Sequence, residues 1–220
     1  MPIDSRTTVH ALVPLKQLAG AKTRLSGLLD SEQRRTLALA MARDVVGVLA
    51  AHPAISTITL VSDEPDAREL TATAPVRLWS EQALLAATEL APVTSGPLPS
   101  LNGVLAAACE RLRCEDANAA ALVLVLHADL PLLAGADIDA ALAWAEEQGL
   151  PGRSLQRPGI ARDIDTPTDL LQLHQQAATL PAGHTRSWLH NLAALPGRVR
   201  ALALADCEDT SALVALAGQL

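Results

Sequence analysis

The chain alternates between short apolar runs and longer amphipathic stretches. Three short runs are rich in β-branched residues and predict strands: Val9–Val13, Ile55–Val61 and Val76–Trp79. Between the first two runs, apolar residues recur every three or four positions from Leu37 to Val48, which predicts an amphipathic helix. Asp30 can cap this helix, with Gln33 three residues later closing a capping box. Strands that alternate with helices along a chain are typical of α/β folds with a mostly parallel sheet.

A fourth apolar run leads into an acidic residue. Leu122–Leu126 contains five apolar residues without alternation, which predicts a strand buried on both faces, at the centre of a sheet with helices on each side. Asp129 follows this strand, and Pro131, which cannot donate a ladder hydrogen bond, ends it. Because open α/β sheets bind ligands at the carboxyl ends of their strands, Asp129 is a candidate site residue. The alternative is that Asp129 only caps the next turn.

The remaining pattern predicts several helices and one more strand. Helices are predicted at residues 68–72, 81–91, 101–112, 137–148 and 188–195 and after Thr166, and a strand at 199–204 precedes a last helix that ends at Leu220. Hydrophobic residues make up 50% of the chain, and many are Ala or Leu, which favours helices and allows a sizeable core.

Charge and cysteine content narrow the class of protein. The net charge of −7 argues against a nucleic-acid partner, which would need a basic surface, but leaves room for a small anionic ligand held by a few local cations. The chain has only three cysteines, and an odd number cannot all pair, so we expect reduced thiols and not a disulfide framework. We find no signal-like start and no long uncharged apolar run, so we expect a cytoplasmic protein with no membrane partner.

A basic loop follows the first predicted strand. Lys16, Lys22 and Arg24 lie within nine residues, at the position where α/β folds place phosphate-binding loops. The alternative is a solvated basic loop. The position of the three cations directly after a strand, in an otherwise acidic chain, favours the binding of a ligand. The glycine spacing and the Gly-Lys-Ser/Thr ending of a Walker loop are absent.

A second candidate lies where an irregular loop opens into a helix. Residues 92–100 are rich in Pro, Ser and Gly, and Leu101-Asn102 then begins a helical pattern. The Asn102 side chain could read a base edge or a ribose at this position. The alternative is that it is an ordinary helix cap.

Two aspartates precede the predicted helix that begins after Thr166. Thr166 suits the N-cap and Pro167 the first helical position. On the extended approach, Asp163 and Asp165 share one face, where two carboxylates repel each other unless a cation lies between them. With Asp129 as a third ligand, this pair predicts an Mg²⁺ site. The alternative is a capped helix that follows surface acids.

Together these motifs resemble the 2-phospholactate guanylyltransferase family of coenzyme F-420 biosynthesis, which are GT-A-like nucleotidyltransferases. The matching residues are Val13-Pro14-Leu15-Lys16 with Lys22-x-Arg24-Leu25, Leu101-Asn102, Ala128-Asp129-Leu130-Pro131-Leu132-Leu133 and Asp163-Ile164-Asp165-Thr166-Pro167-x-Asp169-Leu170. The resemblance implies a three-layer GT-A-like α/β fold, Rossmann-like, with a mixed, mostly parallel sheet and helices on both faces.

The resemblance also implies a reaction, in which GTP gives its guanylyl group to the phosphate of 2-phospho-L-lactate, phosphoenolpyruvate or 3-phospho-D-glycerate and releases pyrophosphate. The resemblance implies that the nucleotide is bound by Pro14, Leu15, Lys16, Lys22, Arg24, Leu101, Asn102 and Asp129. Of these residues, it implies a catalytic role for Lys16, Lys22 and Asp129. The implied Mg²⁺ ligands are Asp129, Asp163 and Asp165. Transfer between two anionic reactants needs cations more than it needs an acid or a base. The implied basic residues and metal ligands therefore suit this reaction.

The chain also departs from the family pattern. By comparison with the family, Ser100 replaces a glycine, and two glycine-rich acceptor-binding segments are absent, which indicates an apparent deletion near residues 148–150. Either the deletion is natural, or the sequence omits a stretch of the natural chain. We therefore predict a nucleotidyltransferase domain at 1–180 and a C-terminal extension at 181–220 that packs on this domain or forms a homodimer contact. The alternatives are an inactive relative that binds a nucleotide or a partner protein, and a molybdopterin or sugar nucleotidyltransferase. Molybdopterin and sugar nucleotidyltransferases usually have a glycine-rich loop after the first strand, and Pro14-Leu15-Lys16 does not supply one.

Overall fold

A computed structural model describes residues 8–16, 18–72, 74–87, 100–115, 121–148, 159 and 162–192. The strands are β1 (Thr8–Pro14), β2 (Ile55–Val61), β3 (Val76–Trp79) and β4 (Ala121–Val125), and the helices are α1 (Ser31–Ala51), α2 (Ala67–Thr71), α3 (Glu81–Ala87), α4 (Leu101–Glu115), α5 (Gly135–Gln148), α6 (Pro167–Gln175) and α7 (His184–Asn191). Two 3-10 turns, Leu18–Gly20 and Thr23–Leu25, lie between β1 and α1. The predicted strand at 199–204 and the last predicted helix fall outside the described residues.

The four strands form one parallel sheet in the order β3-β2-β1-β4. Their carboxyl ends therefore share one edge of the sheet. Hydrogen bonds continue the pairing just beyond the strands, since the Leu15 amide donates to the Val61 carbonyl at 3.0 Å and the Ser62 amide donates to the Trp79 carbonyl at 2.9 Å. The first residues after β1, β2 and β3 are thus held side by side.

The position of β4 differs from the prediction. Within the described part of the chain, β4 is an edge strand and β1 lies between β2 and β4, so the prediction of a central β4 is wrong for this sheet. Only partial burial is found at 122–124, and Val125 is 39% exposed. A continuous apolar run indicates that side chains are shielded from water, but it carries no information on whether both edges of the strand are paired.

The chain forms two compact units, and α1 contributes to each of them. The first unit contains the sheet with α2, α3, α4 and α5. One of its buried clusters comprises Leu12, Val61, Trp79, Leu84, Val104, Ala107, Ala108 and Leu112. Here the apolar faces of α3 and α4 meet side chains of the strands, as the sequence pattern predicted. No described helix is long and apolar enough to cross a lipid bilayer.

The second unit contains the two 3-10 turns, α1 up to Val45, Asp129–Leu133, α6 and α7. Its buried cluster includes Leu25, Leu37, Met41, Ile164, Leu170, Leu171 and Leu189. Two predicted helix starts are confirmed. Asp30 and Gln33 exchange hydrogen bonds before α1, at 2.8 and 3.1 Å. Thr166 and Asp169 form a capping box on α6.

The start of α7 is held by a carboxylate from α1. Asp44 accepts hydrogen bonds from the backbone amides of His184 and Thr185, at 2.7 and 2.8 Å. These amides have no partner within their own helix, so Asp44 acts as the missing cap. Gly183 precedes them with an extended backbone that any residue could adopt, but a Cβ atom there would lie 2.6 Å from Asp44 Oδ1. The glycine therefore leaves the space that the capping carboxylate occupies.

We expect Asp44→Ala and Gly183→Ala to destabilise the protein for the same reason. Each should lower the free energy of unfolding by about 1–2 kcal/mol, because each removes or displaces the cap. The two costs should not add in the double variant, since Gly183→Ala has nothing left to displace once Asp44 is gone. Urea unfolding of the four proteins measures this coupling. Fully additive costs would show that the Asp44 cap and the glycine are unrelated.

Candidate active site

Three aspartates converge in the second unit. Asp129, Asp163 and Asp165 each offer one carboxylate oxygen, and these oxygens lie within 4.8 Å of one another. Asp129 is anchored by its buried neighbour Leu130. Ile164 is fully buried between the other two aspartates, so its side chain points into the core while Asp163 and Asp165 point away from it. The sequence-predicted convergence of these acids is present in the structure.

The capped start of α6 fixes the backbone next to this triad. Asp169 accepts hydrogen bonds from the backbone amides of Asp165 and Thr166, at 3.2 and 2.7 Å. Thr166 in turn accepts a hydrogen bond from the Asp169 amide at 3.3 Å. The helix cap and the acidic triad are therefore adjacent features of one motif, with Asp169 setting the backbone on which Asp165 stands.

Lys22 contributes a cation to the triad. Its Nζ atom lies 2.5 Å from Asp129 Oδ2 and 2.7 Å from Asp165 Oδ1. The Lys22 side chain is only 7% exposed, compared with 27% for Asp129 and 43% for Asp165. Burial by itself lowers the pKa of Lys22, but the ion pairs and hydrogen bonds with the two aspartates outweigh it, and the pKa is raised. The ammonium group therefore stays charged at neutral pH.

The backbone of Lys22 is unusual. Its φ of 54° and ψ of 40° place it in the left-handed region, and it is the only non-glycine residue with positive φ in the described part of the chain. This conformation is disfavoured for residues that carry a side chain. A strained residue that is also buried and doubly ion-paired is typical of a functional site.

The triad is chemically suited to a divalent metal ion. Hard cations such as Mg²⁺ prefer carboxylate oxygens, and a small number of protein carboxylates with water or phosphate completes their coordination. Three carboxylate side chains converge here, and Lys22 forms ion pairs with two of them, Asp129 and Asp165. Asp129, Asp163 and Asp165 are therefore the residues that would hold the ion.

Other predicted nucleotide residues lie in the first unit, at the carboxyl edge of the sheet. Pro14 and Leu15 are buried at the end of β1, and the Leu15 carbonyl accepts a hydrogen bond from the Ser62 hydroxyl at 2.7 Å. Lys16 follows them and is exposed. It is close enough to Glu81, at the start of α3, to influence that group. Burial and then the Asp63 carboxylate raise the pKa of Glu81, and Lys16 opposes them. Sequence reasoning missed this acidic neighbourhood, although Asp63 and Glu81 also follow strands.

The remaining predicted residues sit at element starts. Leu101 and Asn102 begin α4. Leu101 is partly buried, and Asn102 is exposed. The cap of this helix is Ser100, whose hydroxyl accepts a hydrogen bond from the Gly103 amide at 3.3 Å. The residue that departs from the family pattern thus has a structural role, and the exposed Asn102 is not that cap. Arg24 is exposed in the second 3-10 turn.

Comparison with known proteins finds partial sequence similarity to guanylyltransferases. The family described as "Guanylyl transferase CofC like" matches residues 9–75. The phosphoenolpyruvate guanylyltransferase of Rhodococcus opacus (strain B4) is 36% identical over 140 residues, which cover 64% of this chain and 57% of the relative. That of Sphaerobacter thermophilus is 29% identical over 191 residues, covering 76% of this chain and 92% of the relative. The chain spans less than two thirds of the length of the Rhodococcus relatives.

A solved structure supports the fold. A Desulfovibrio desulfuricans G20 protein, assigned as a nucleotide-diphospho-sugar transferase, superposes with a TM-score of 0.59 at 14% identity, covering 86% of this chain and 96% of that protein. At this identity the likeness concerns the fold alone, and it confirms the predicted GT-A-like α/β class. The family match and the curated relatives show that part of this chain is similar in sequence to CofC-like guanylyl transferases.

Proposed function

We propose that this protein transfers the guanylyl group of GTP to the phosphate of a phosphorylated three-carbon acid and releases pyrophosphate. The observation that carries the proposal is the convergence of Asp129, Asp163 and Asp165 with the buried cation of Lys22. The curated relatives are named phosphoenolpyruvate guanylyltransferases, so phosphoenolpyruvate is the first acceptor to test. Such a product would serve coenzyme F-420 biosynthesis.

The reaction sets clear demands on the site. An oxygen of the acceptor phosphate attacks the α-phosphorus of GTP, and the bond from that phosphorus to the bridging oxygen of the β-phosphate breaks. Both reactants are anions, so positioning and charge neutralisation supply most of the rate. A bound Mg²⁺ would neutralise phosphate charge and orient the leaving group. In this proposal the three aspartates hold the ion, and Lys22 supplies a cation for the phosphates.

The basic and polar residues outside the triad would bind the nucleotide. Lys16 and Arg24 are exposed cations, the charge that attracts phosphate oxygens, and Asn102 is an exposed amide at the start of α4. Pro14, Leu15 and Leu101 are the apolar members of the same predicted set. Their burial or partial burial indicates that they shape the backbone more than they contact charged groups.

The decisive experiment measures pyrophosphate release from GTP and Mg²⁺ with each of the three acids in turn. ATP and CTP serve as nucleotide controls, and phosphorus NMR identifies the new phosphoanhydride bond. We expect release that depends on both GTP and one of the acids. Binding of GTP without release with any acid would support the alternative, an inactive nucleotide-binding relative.

We expect Lys16→Ala to weaken GTP binding by about tenfold, since it removes one phosphate contact that carries charge. The acceptor KM should change far less. Calorimetry with GTP measures the first effect and steady-state kinetics the second. Arg113→Ala is the matched control, because Arg113 is an exposed cation whose guanidinium pairs with Glu110 on α4. Equal GTP affinity in both variants would remove Lys16 from the nucleotide site.

The metal proposal has its own test. Mg²⁺ with GTP should raise the melting temperature, because a ligand of the folded state stabilises by about 2.7 kcal/mol at a hundredfold excess over its Kd. Asp165→Ala should lose most of that shift, and Glu110→Ala, which removes an exposed acid on α4, should keep it. Identical shifts in the two variants would mean that the Asp163 and Asp165 pair only precedes a capped helix.

A further inference from the structure

We infer that Lys22 is an internal cation that a divalent metal ion displaces. In the structure its ammonium group forms ion pairs with both Asp129 and Asp165. When the ion binds, the ammonium group leaves both carboxylates and becomes available to phosphate oxygens. This inference rests on the proposed function for the identity of the site as a metal site, but it concerns the side chain of Lys22 and not the transfer reaction.

The first argument is spatial. Lys22 Nζ lies 2.5 and 2.7 Å from one oxygen of Asp129 and one of Asp165. Mg²⁺ binds carboxylate oxygens at about 2.0–2.1 Å. An ion bonded to these two oxygens would occupy almost the same position as the ammonium nitrogen. The ion and the ammonium group therefore exclude each other from these oxygens.

The second argument concerns charge. One ammonium group faces three carboxylates whose oxygens lie within 4.8 Å of one another. A divalent ion among the same carboxylates compensates twice as much charge as one ammonium group does. Exchange of the ammonium group for the ion therefore improves the local charge balance.

The third argument concerns the backbone. Lys22 holds a left-handed conformation, φ 54°, which is disfavoured for a residue with a side chain. The same residue carries both ion pairs. A conformation of this kind persists only where the surrounding structure holds it, so loss of the two ion pairs would favour relaxation of the turn that leads to Arg24.

The chain offers a direct test, because Lys16 and Lys22 are its only lysines. Protein labelled with ¹³C at lysine Cε should give two signals, and Lys16→Arg assigns them. We expect added MgCl₂ to move the Lys22 signal toward the chemical shift of an exposed lysine, whereas NaCl of equal ionic strength should not. Asp163→Asn keeps both Lys22 partners but removes one metal ligand, so the same movement should require more Mg²⁺.

A second measurement compares metal affinity by calorimetry with Mn²⁺ as the probe. Lys22→Met removes the competing cation and should bind Mn²⁺ about tenfold or more tightly than the unchanged protein. Arg24→Met removes a nearby charge from an exposed side chain and should change the affinity by far less. A similar change in both variants would indicate a long-range charge effect, and it would overturn the displacement.

Each outcome decides one question. An unmoved Lys22 signal in protein that binds metal overturns the inference, even if pyrophosphate release shows that the enzyme is active. Absence of metal binding to both the unchanged protein and Lys22→Met also overturns it. A moved Lys22 signal without transfer to any acid supports the displacement and contradicts the proposed function.

Discussion

Asp129→Asn is expected to lower the rate of guanylyl transfer by at least about a hundredfold, as loss of a group that stabilises transition-state charge does. The amide keeps the size of the side chain but removes the charge that would bind the metal ion and that pairs with Lys22. Pyrophosphate release with saturating GTP and acceptor measures the effect.

The fold should survive this change. Asp129 is partly exposed, Lys22 keeps Asp165 as a partner, and removal of one charge relieves repulsion within the triad. Asp139→Asn is the control, because Asp139 is an acid with a 74% exposed side chain. Circular dichroism should give similar melting curves for both variants. Near-normal transfer by Asp129→Asn would remove this carboxylate from the active site.

Ile164→Ala should give the largest loss of stability, about 2–5 kcal/mol, because it deletes a fully buried side chain and leaves a cavity. Ile164→Val should cost only about 0.5–1.5 kcal/mol. Urea unfolding of the two variants measures the difference. Ile164 also anchors the backbone between two of the three aspartates, so we expect weaker Mn²⁺ binding in the alanine variant at temperatures where it remains folded.

A small cost for Ile164→Ala, equal to that of the valine variant, would show that the site relaxes around the lost atoms. In that case the buried side chain could not be what orients Asp163 and Asp165. The capping box of Thr166 and Asp169 would then be the main constraint on this segment.

Local signals in the sequence predicted much of the fold. The first three strands, the capping box before α1 and the capped start of α6 each depend on residues that are close along the chain. The place of β4 was not predictable in this way, because the number of neighbours a strand has depends on the rest of the sheet. Burial in a run such as 122–126 has the same apolar signature at a centre and at an edge.

The sequence predicted which residues form the candidate site but not how Lys22 contacts the acids. The two-residue spacing of Asp163 and Asp165 places both side chains on one face. The family resemblance and the need for a cation between these carboxylates then indicate Asp129 as the third acid. Nothing in the local sequence indicated that Lys22 would bind the acids, because these partners are 107 and 143 positions away. The left-handed backbone of Lys22 has no sequence signal either, since that region is normally occupied by glycine or asparagine.

Those long separations bear on how the protein is made. During synthesis Lys22 emerges early, and Asp165 follows only after 142 further residues have been added, so the acidic triad and its internal cation cannot assemble until most of the chain has left the ribosome. Contacts of high sequence separation also slow folding, because a large loop must close before they form. We expect the sheet that contains β1 and β2 to form before the second unit. A nascent chain would then complete the cluster of Lys22 and the three aspartates only late in its synthesis.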